Sequence, residues 1–420
     1  MNRVKLKEIA KIDVSNVDKK SRDGEKSVKL CNFVDVYKNW RITSDLEPTF
    51  MTATAPQRHI DRFTIHKGQV AITKDSETRD DIGLSTCIAE DIPNTLLGYH
   101  CVLISPNEEV LSGEYLNLVL QSEYAHKYFE LNASGSGQRY TLTNDTVENM
   151  PIPIVDLEYQ RKLGDVFADI DRIIKTNNKI IETSEKLMRE IYDYWFVQFD
   201  FPDKNGRPYK SSGGEMVYEK TLKREIPKGW STKKLGNICK VSLGGTPSRS
   251  INEYWEDGDI DWLSSGEIAN FPIVESIERI THKGLENSAA KLLKAGSVMI
   301  SITGNIRVSV LAINASANQS VVGIEESEFV KNTYLYQYLS SLVPEYESKM
   351  TGAVQKHINK DIVAETLLTL PHKEILDSFE HAANPILKSI ILLAIENKKL
   401  ASLRDWLLPM LMNGQIKVSD

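Results

Sequence analysis

The sequence has no long apolar run and no segment typical of export. Its most apolar stretch, PILKSIILLAIE, is shorter than the roughly 18 residues of a membrane-spanning helix and contains Lys388. The N-terminal segment MNRVKLKEIAKIDVSN lacks the apolar core of a signal peptide. We therefore expect a cytoplasmic protein with no membrane partner.

Cysteine is scarce, and the four cysteines are widely spaced. Cys31, Cys87, Cys101 and Cys239 form no CxxC pair and have no histidine at ligand spacing. A disulfide framework or a zinc site needs such local groups. We therefore predict buried free thiols and no metal site.

The local motifs of common enzymes are also missing. The sequence has no GxxxxGK[ST], HExxH or GxSxG motif and no EF-hand loop. NPIL at Asn384 lacks the second proline of the Asn-Pro-Pro-aromatic motif of adenine methyltransferases. The carboxylates and the eight histidines are scattered. We predict no catalytic residue and no cofactor in this chain, although an enzyme with an unrecognised site stays open.

The charge balance excludes a uniformly basic nucleic-acid coat. The 420 residues carry a net charge of −7, and 41% of them are hydrophobic and 26% charged. This composition is typical of an ordinary folded protein. It leaves room for a local basic cleft, because contact with phosphates depends on where the charges lie.

The chain contains an internal repeat. Short stretches of the first half recur in the second half in the same order, and their separation shrinks from 229 to 211 residues. The matched pairs include Leu6 and Leu235, Gly68 and Gly296, Leu142 and Ile358, and Trp195 and Trp406. A steadily changing offset is typical of two copies of one unit that differ by short insertions.

Each copy has a strand-rich part followed by a helical part, which predicts an α+β fold. Short apolar runs such as QVAIT, CVLIS and SVMISI lie between turn residues. The predicted segments are a first strand-rich domain at 1–155, a central helix at 156–199, a linker at 200–228, a second strand-rich domain at 229–371 and a C-terminal helix at 372–414.

Both helical segments have apolar residues in alternating steps of three and four, the seam of a coiled coil. The seam residues are Leu163, Phe167, Ile170, Ile174, Ile181, Met188, Ile191 and Trp195 in the first helix, and Phe379, Ile386, Ile390, Leu393, Leu400 and Trp406 in the second. Two such helices in one chain are expected to pack on each other. Asn177 and Asn397 either fix the register of this packing or face water. Asn384-Pro385 predicts a kink or a fresh helix start.

Polar loops with Gly, Gln, Arg and Lys occur in both copies. Arg and Lys can contact phosphates or guanine, and Gln and Asn can bind adenine, so these loops suit the DNA major groove. The candidate DNA-binding residues are Lys74, Arg79, Gln138, Arg139, Tyr140, Arg249, Thr303, Asn305, Arg307, Gln355, Lys356 and His357. Singly, a loop of this kind is more often a solvated turn. GGTPSRS around Arg249 resembles a phosphate cradle, but it lacks a following Lys-Ser/Thr pair and is more typical of a plain turn.

The sequence resembles the specificity subunit of type I restriction-modification systems. The phrases that carry the resemblance are YDYWFVQFDFPDKNGRPYKSSGG, REIPKGWSTKKLGNICKVSLGGTPS, YTLTNDTVENMPIPIV and LRDWLLPMLMNGQIKV. The resemblance implies two target-recognition domains, each reading one half of a split sequence in double-stranded DNA. It also implies a pseudo-twofold chain in which the two helices pack as an antiparallel coiled coil and act as a spacer.

The resemblance further implies partners that supply the chemistry. Two methyltransferase subunits would dock on the helices and hold S-adenosylmethionine, and separate motor-nuclease subunits would cleave DNA. The chain itself would be non-catalytic. The alternative is a two-headed scaffold that binds protein or glycan and uses its helices as a ruler. Such a scaffold would show no salt-dependent binding to DNA.

Overall fold

The chain divides into two compact units. The computed structural model describes residues 2–136, 139–352 and 356–412. Unit 1 comprises Met1–Lys175 with Lys399–Asp420, and unit 2 comprises Thr176–Lys398. Both unit boundaries fall inside long helices, so each helix contributes one part to each unit.

Unit 1 combines short strands with short helices. Its strands are β1 (Asn2–Lys5), β2 (Ala10–Val14), β3 (Lys26–Cys31), β4 (Arg41–Ile42), β5 (Met51–Ala55), β6 (Val70–Thr73), β7 (Asp75–Ser76), β8 (Ser85–Ile88), β9 (Thr95–Leu97), β10 (Cys101–Pro106), β11 (Ser134–Ser136), β12 (Arg139–Thr141) and β13 (Pro151–Ile154). Its short helices are α1 (Leu6–Ile9), α2 (Phe33–Lys38), α3 (Gln57–Phe63), α4 (Gly113–Leu120), α5 (Glu123–Asn132) and α6 (Asn144–Glu148).

These strands form four sheets. A five-stranded sheet has the order β2-β10-β6-β8-β4, and a three-stranded sheet has the order β5-β3-β9. β1 pairs with β13, and β11, β12 and β7 form a small sheet of their own. All four residues of β6 are buried, because this strand is central and packed on both faces.

Unit 2 contains the remaining strands and short helices. The strands are β14 (Met216–Glu219), β15 (Arg224–Pro227), β16 (Ser231–Lys234), β17 (Lys240–Leu243), β18 (Ile260–Leu263), β19 (Glu278–Ile280), β20 (Val298–Ser301), β21 (Val308–Val310), β22 (Ala315–Ala317), β23 (Val321–Glu325) and β24 (Leu367–Leu370). The short helices are α8 (His282–Glu286), α9 (Asn332–Ser341), α10 (Val343–Ser348) and α11 (Lys360–Ala364).

The sheets of unit 2 repeat those of unit 1. The order β17-β23-β20-β21 corresponds to β2-β10-β6-β8, and β19-β18-β22 corresponds to β5-β3-β9. β3 and β9 pair in parallel, as do β18 and β22. β16 pairs with β24 as β1 pairs with β13. The duplication predicted from the sequence is therefore confirmed in the strand order.

The segment 200–228, predicted to be a linker, is folded. β14 and β15 form an antiparallel pair there, and Phe201 and Ile226 are buried in the core of unit 2. The Phe201 ring stacks on Trp230 at a centroid distance of 5.3 Å. A few aromatic side chains thus anchor a stretch that is otherwise rich in turn residues.

Each of the two long segments forms one extended helix. The first is α7 (Leu157–Tyr192), followed by a π-helical turn at Asp193–Val197, and the second is α12 (Lys373–Met412). Within unit 2, Tyr192 contacts Phe379, and Asn177 donates a hydrogen bond to Asn397. These contacts run antiparallel, while a regular coiled coil over the full helices stays a prediction.

Burial varies along the predicted seams. The buried seam residues are Leu163, Phe167, Ile170, Met188, Phe379 and Ile390. The half-buried ones are Ile174, Ile181, Ile191, Trp195, Ile386, Leu393 and Leu400, and Trp406 is exposed. The fresh helix start predicted at Asn384-Pro385 is wrong, because α12 continues through it. Ala383 and Leu387, which flank the proline, are buried in the core of unit 2, and this packing offsets the cost of the proline.

The structure shows the state of the cysteines and the character of the helices. All four cysteines are buried with free thiols. Among the described residues, none of the helices is both long and apolar enough for a bilayer. The same residues contain no group of His, Cys, Asp and Glu arranged to hold a metal ion.

Candidate DNA interface

In unit 1, strand pairing brings two of the predicted polar loops together. Residues Tyr140 and Thr141 of β12 pair with Ser76 and Asp75 of β7. The backbone N–H of Leu142 donates to the carbonyl oxygen of Lys74 at 2.8 Å. The loop after β6 and the loop around β12 therefore form one surface, although they are more than 60 residues apart in the chain.

Gly135 allows the second of these loops to close. Its φ is +132°, and a Cβ there would lie 2.2 Å from the carbonyl oxygen of Arg139. A side chain would therefore clash with the paired strand. The glycine therefore permits β11 to approach β12.

Arg139 lies beside Asp75 and His100. The Nη2 atom of Arg139 is 3.3 Å from Oδ2 of Asp75, and the same oxygen is 2.5 Å from Nδ1 of His100. Burial alone would raise the pKa of Asp75, but hydrogen bonds from Thr141 and His100 and the charge of Arg139 lower that pKa below its ordinary value. Asp75 is therefore held as a carboxylate behind Arg139.

The backbone of His100 is strained. Its φ of +69° lies in the left-handed region, which is uncommon for a residue with a side chain. Lys74 donates its backbone N–H to the carbonyl oxygen of His100 at 2.8 Å, and Asp75 holds the imidazole. The paired loops thus fix a residue whose conformation is costly alone.

An open cavity of about 710 Å³ adjoins this group of charges. Phe33 and Tyr37 of α2 stack at a centroid distance of 5.9 Å and form part of its wall. The Tyr37 hydroxyl donates to Asp81 at 3.1 Å, which raises the pKa of Tyr37. The cavity therefore offers aromatic faces next to charged groups.

Of the other residues predicted in unit 1, Lys74 and Tyr140 are the chain neighbours of Asp75 and Arg139. The guanidinium of Arg79 is 5.0 Å from the centroid of the Tyr140 ring, which is a cation–π distance. Lys74 is half-buried and Arg79 is exposed. Gln138 lies outside the described residues.

Unit 2 brings its two predicted loops together in the same way. The backbone N–H of Ile358 donates to the carbonyl oxygen of Ile302 at 2.9 Å, and that of Gly304 donates to Lys356 at 3.0 Å. Thr303 also forms a β-bridge with His357. Leu142 and Ile358 are matched in the repeat, so the hydrogen bond from Ile358 is the counterpart of the one from Leu142.

A serine shapes the loop between β20 and β21. The Ser301 hydroxyl accepts a hydrogen bond from the backbone N–H of Arg307 at 2.7 Å and donates to the carbonyl oxygen of Asn305 at 2.8 Å. Asn305, Arg307, Lys356 and His357 are exposed, and Thr303 is half-buried. Gln355 lies outside the described residues.

Arg249 is bound to neighbouring side chains. Its Nη1 and Nη2 atoms lie 2.5 Å and 2.7 Å from the two carboxylate oxygens of Glu278. Its guanidinium also lies 3.5 Å from the centroid of the Trp255 ring. This geometry suits a cation that joins parts of unit 2, and the DNA-binding role of Arg249 stays a prediction.

Sequence reasoning missed Asp75 and His100 as members of the site. Asp75 directly follows Lys74 and could have been included from its position alone. His100 precedes β10 in the stretch GYHC and carries no local signal. Only the pairing of β7 with β12 and the bond from Lys74 place it beside Arg139.

One face of α7 exposes apolar side chains at seven-residue spacing. Within unit 2, Ile180, Leu187 and Tyr194 of this helix and the following turn are 43%, 48% and 39% exposed. Seven residues are two helical turns, so these side chains lie on one side. Exposed apolar residues in such a row are typical of a protein-docking surface.

Comparisons with known proteins agree with this architecture. A family model described as the type I restriction modification DNA specificity domain matches residues 1–186 and 227–404. The MjaIX specificity subunit of Methanocaldococcus jannaschii is 27% identical over 360 residues, which cover 84% of this chain and 79% of that protein. The HindI specificity subunit of Haemophilus influenzae is 25% identical over 405 residues, which cover 84% of this chain and 87% of that protein.

A solved structure shares the fold. The S subunit of a type I restriction-modification system from M. genitalium superposes with a TM-score of 0.56 at 12% sequence identity. The likeness covers 97% of this chain and 94% of that one. This likeness concerns the fold. The family model matches both copies of the repeat, and the chain therefore belongs to the family of type I restriction-modification DNA specificity domains and carries two such domains.

Proposed function

We propose that this chain is the sequence-specific DNA-binding subunit of a type I restriction-modification complex. Each strand-rich unit would read one half of a split target in double-stranded DNA. The observation that carries the proposal is the hydrogen-bonded loop pair that recurs at matched positions, Leu142 with Lys74 and Ile358 with Ile302. A duplicated reading surface suits a target made of two half-sites.

The long helices would set the gap between the half-sites and dock the partner subunits. The exposed row of Ile180, Leu187 and Tyr194 supports docking on α7, because water-exposed apolar side chains gain stability when a partner covers them. The partners would be two methyltransferase subunits, which hold S-adenosylmethionine, and motor-nuclease subunits. The chain itself would bind no cofactor, catalyse nothing and act in the cytoplasm.

The two-headed scaffold gains no support from the relatives named above, since both are specificity subunits. The cleanest test is the adenine methylation of a whole genome in cells that express this chain with its methyltransferase partner. Cells that lack only this chain are the control. A methylated motif of two short blocks and an unread gap is expected only when the chain is present.

Two single substitutions test which unit reads which block of the motif. Arg139→Ala should relax one block and Lys356→Ala the other, while the gap stays constant. If both variants weaken binding to random and specific DNA equally, these side chains hold phosphates. If no motif depends on the chain although the methyltransferase is active, the chain does not read DNA.

A further inference from the structure

The cluster of Arg139, Asp75 and His100 has the geometry of a fixed arginine. The side chain of Arg139 is 60% exposed, whereas that of Asp75 is 17% exposed. The carboxylate therefore lies behind the guanidinium and contacts its Nη2 atom. A ligand that approaches from solvent meets Arg139 first.

The unused edge of this guanidinium determines what it can bind. An arginine has five N–H donors in a planar fork, and within the described residues the Asp75 carboxylate contacts Nη2. The remaining donors can make two parallel hydrogen bonds. In the major groove, guanine presents two acceptors, O6 and N7, whereas adenine presents a donor beside its N7. The fork therefore matches guanine.

The charges around the cavity disfavour a phosphate as the ligand. Asp75, Glu77 and Asp81 line the cavity together with the cations Lys38 and Arg139. Three carboxylates repel a phosphate, while an uncharged base edge meets no such repulsion. Phe33 and Tyr37 on the same wall add apolar surface that suits a base rather than the sugar-phosphate backbone.

We propose that Arg139 reads a guanine in the half-site bound by unit 1, and that Asp75 is the positioning residue that fixes its guanidinium. This inference rests on the proposed function and adds a base identity to it. His100 contributes by holding Oδ2 of Asp75 through its Nδ1 atom. The backbone pairing of Thr141 with Asp75 keeps the three side chains in register.

The test uses the full chain with its methyltransferase partner and reads the methylated motif across the genome. The unchanged chain should show a guanine in the block that Arg139→Ala relaxes. Asp75→Asn and Arg139→Met should each lower the preference for guanine at that position by roughly 5- to 150-fold, the range for losing one bidentate base contact. The block read by unit 2 and the gap should not change, which shows that the complex is intact.

Asp18→Asn is the matched control. Asp18 also pairs with an arginine of unit 1, since its Oδ2 lies 2.5 Å from Nη2 of Arg22, and both side chains are exposed. This variant makes the same change of charge and should leave the motif unaltered. If Asp75→Asn prevents folding, Arg139→Met decides the matter, because it leaves the carboxylate in place and removes every donor of the guanidinium.

Three results would overturn the inference. One is a unit 1 block that contains no guanine, and another is a guanine preference that survives Arg139→Met. The third is an Asp75→Asn chain that binds all DNA more tightly with an unchanged motif, which is the behaviour of an arginine on a phosphate. The proposed function fails in a different way, because then no motif depends on the chain at all.

Discussion

The asparagine pair between the long helices yields a prediction about stability. Within unit 2, the Asn177 amide donates to Oδ1 of Asn397 at 2.9 Å and to Oε2 of Glu396 at 3.0 Å. Asn397 in turn donates to Asn178 at 2.8 Å. Asn177 is buried, so its amide depends on these acceptors. The two asparagines therefore hydrogen-bond each other between the helices, and their role in fixing the register stays a prediction.

Removing either asparagine should destabilise unit 2. Asn177→Ala loses two hydrogen bonds, each worth about 0.5–1.5 kcal/mol, so we expect a loss of about 1–3 kcal/mol in the free energy of unfolding. Asn397→Ala should cost a similar amount, because it also loses two bonds. The double variant should cost about 0.5–1.5 kcal/mol less than the two single losses added together, because one bond is shared.

Urea unfolding followed by tryptophan fluorescence is a suitable assay, since Trp195, Trp230, Trp255 and Trp262 all lie in unit 2. Asn178→Ala is the control, because it removes only the outer bond of the network. Single losses that add within about 0.3 kcal/mol would show that the two asparagines act independently and would refute the reasoning.

Further predictions concern the cations, the spacer and pH. Arg249→Met should lower the stability of unit 2 by about 0.2–1 kcal/mol, because it removes an ion pair with Glu278 in which both side chains are about half exposed, and it should not alter the dependence of DNA affinity on salt. An altered salt slope would instead place Arg249 on DNA. Deleting seven residues between Ile174 and Ile191, with a matching deletion in α12, should shorten the methylation gap by about three base pairs, because a heptad rises about 10 Å. An unchanged gap would exclude the spacer role. Because the folded pKa of Asp75 is lowered, its stabilisation is present above its ordinary pKa of 3.8 and is lost as pH falls through the folded value. Asp75→Asn should therefore reduce the acid dependence of unit 1 unfolding, and identical acid profiles would contradict this.

The repeat was visible in the sequence because some matched positions are required by the backbone. Gly68 and Gly296 both have positive φ, +85° and +92°, in the turns before β6 and β20. Leu6 and Leu235 are both fully buried. Such positions resist change, since a side chain strains the turn and a polar residue destabilises the core. The strand order could therefore be expected to repeat even where few residues match.

Predictions made from short sequence windows were wrong where tertiary packing outweighs the conformational preference of the local residues. Pro385 favours a helix start, yet α12 continues because Ala383 and Leu387 pack in the core of unit 2. The segment 200–228 is rich in turn residues, yet Phe201 stacks on Trp230. In both places a few buried side chains decide the structure, and their partners lie far away in the chain. Periodicity within a short window contains no information about such contacts.

The sequence located polar loops in both copies but not the side chains that surround Arg139, and the DNA-binding role of these loops stays a prediction. The bonds that join the loops, from Leu142 to Lys74 and from Ile358 to Ile302, are made by backbone atoms. Backbone bonds of this kind form with almost any side chain at those positions, so the exposed residues can differ while the frame stays the same. At the matched exposed position of the loop, unit 1 has Arg139 and unit 2 has Lys356. A shared frame with different side chains is what we expect if the two units read different half-sites, as proposed, and it explains why a repeat that predicts the frame cannot predict the bases.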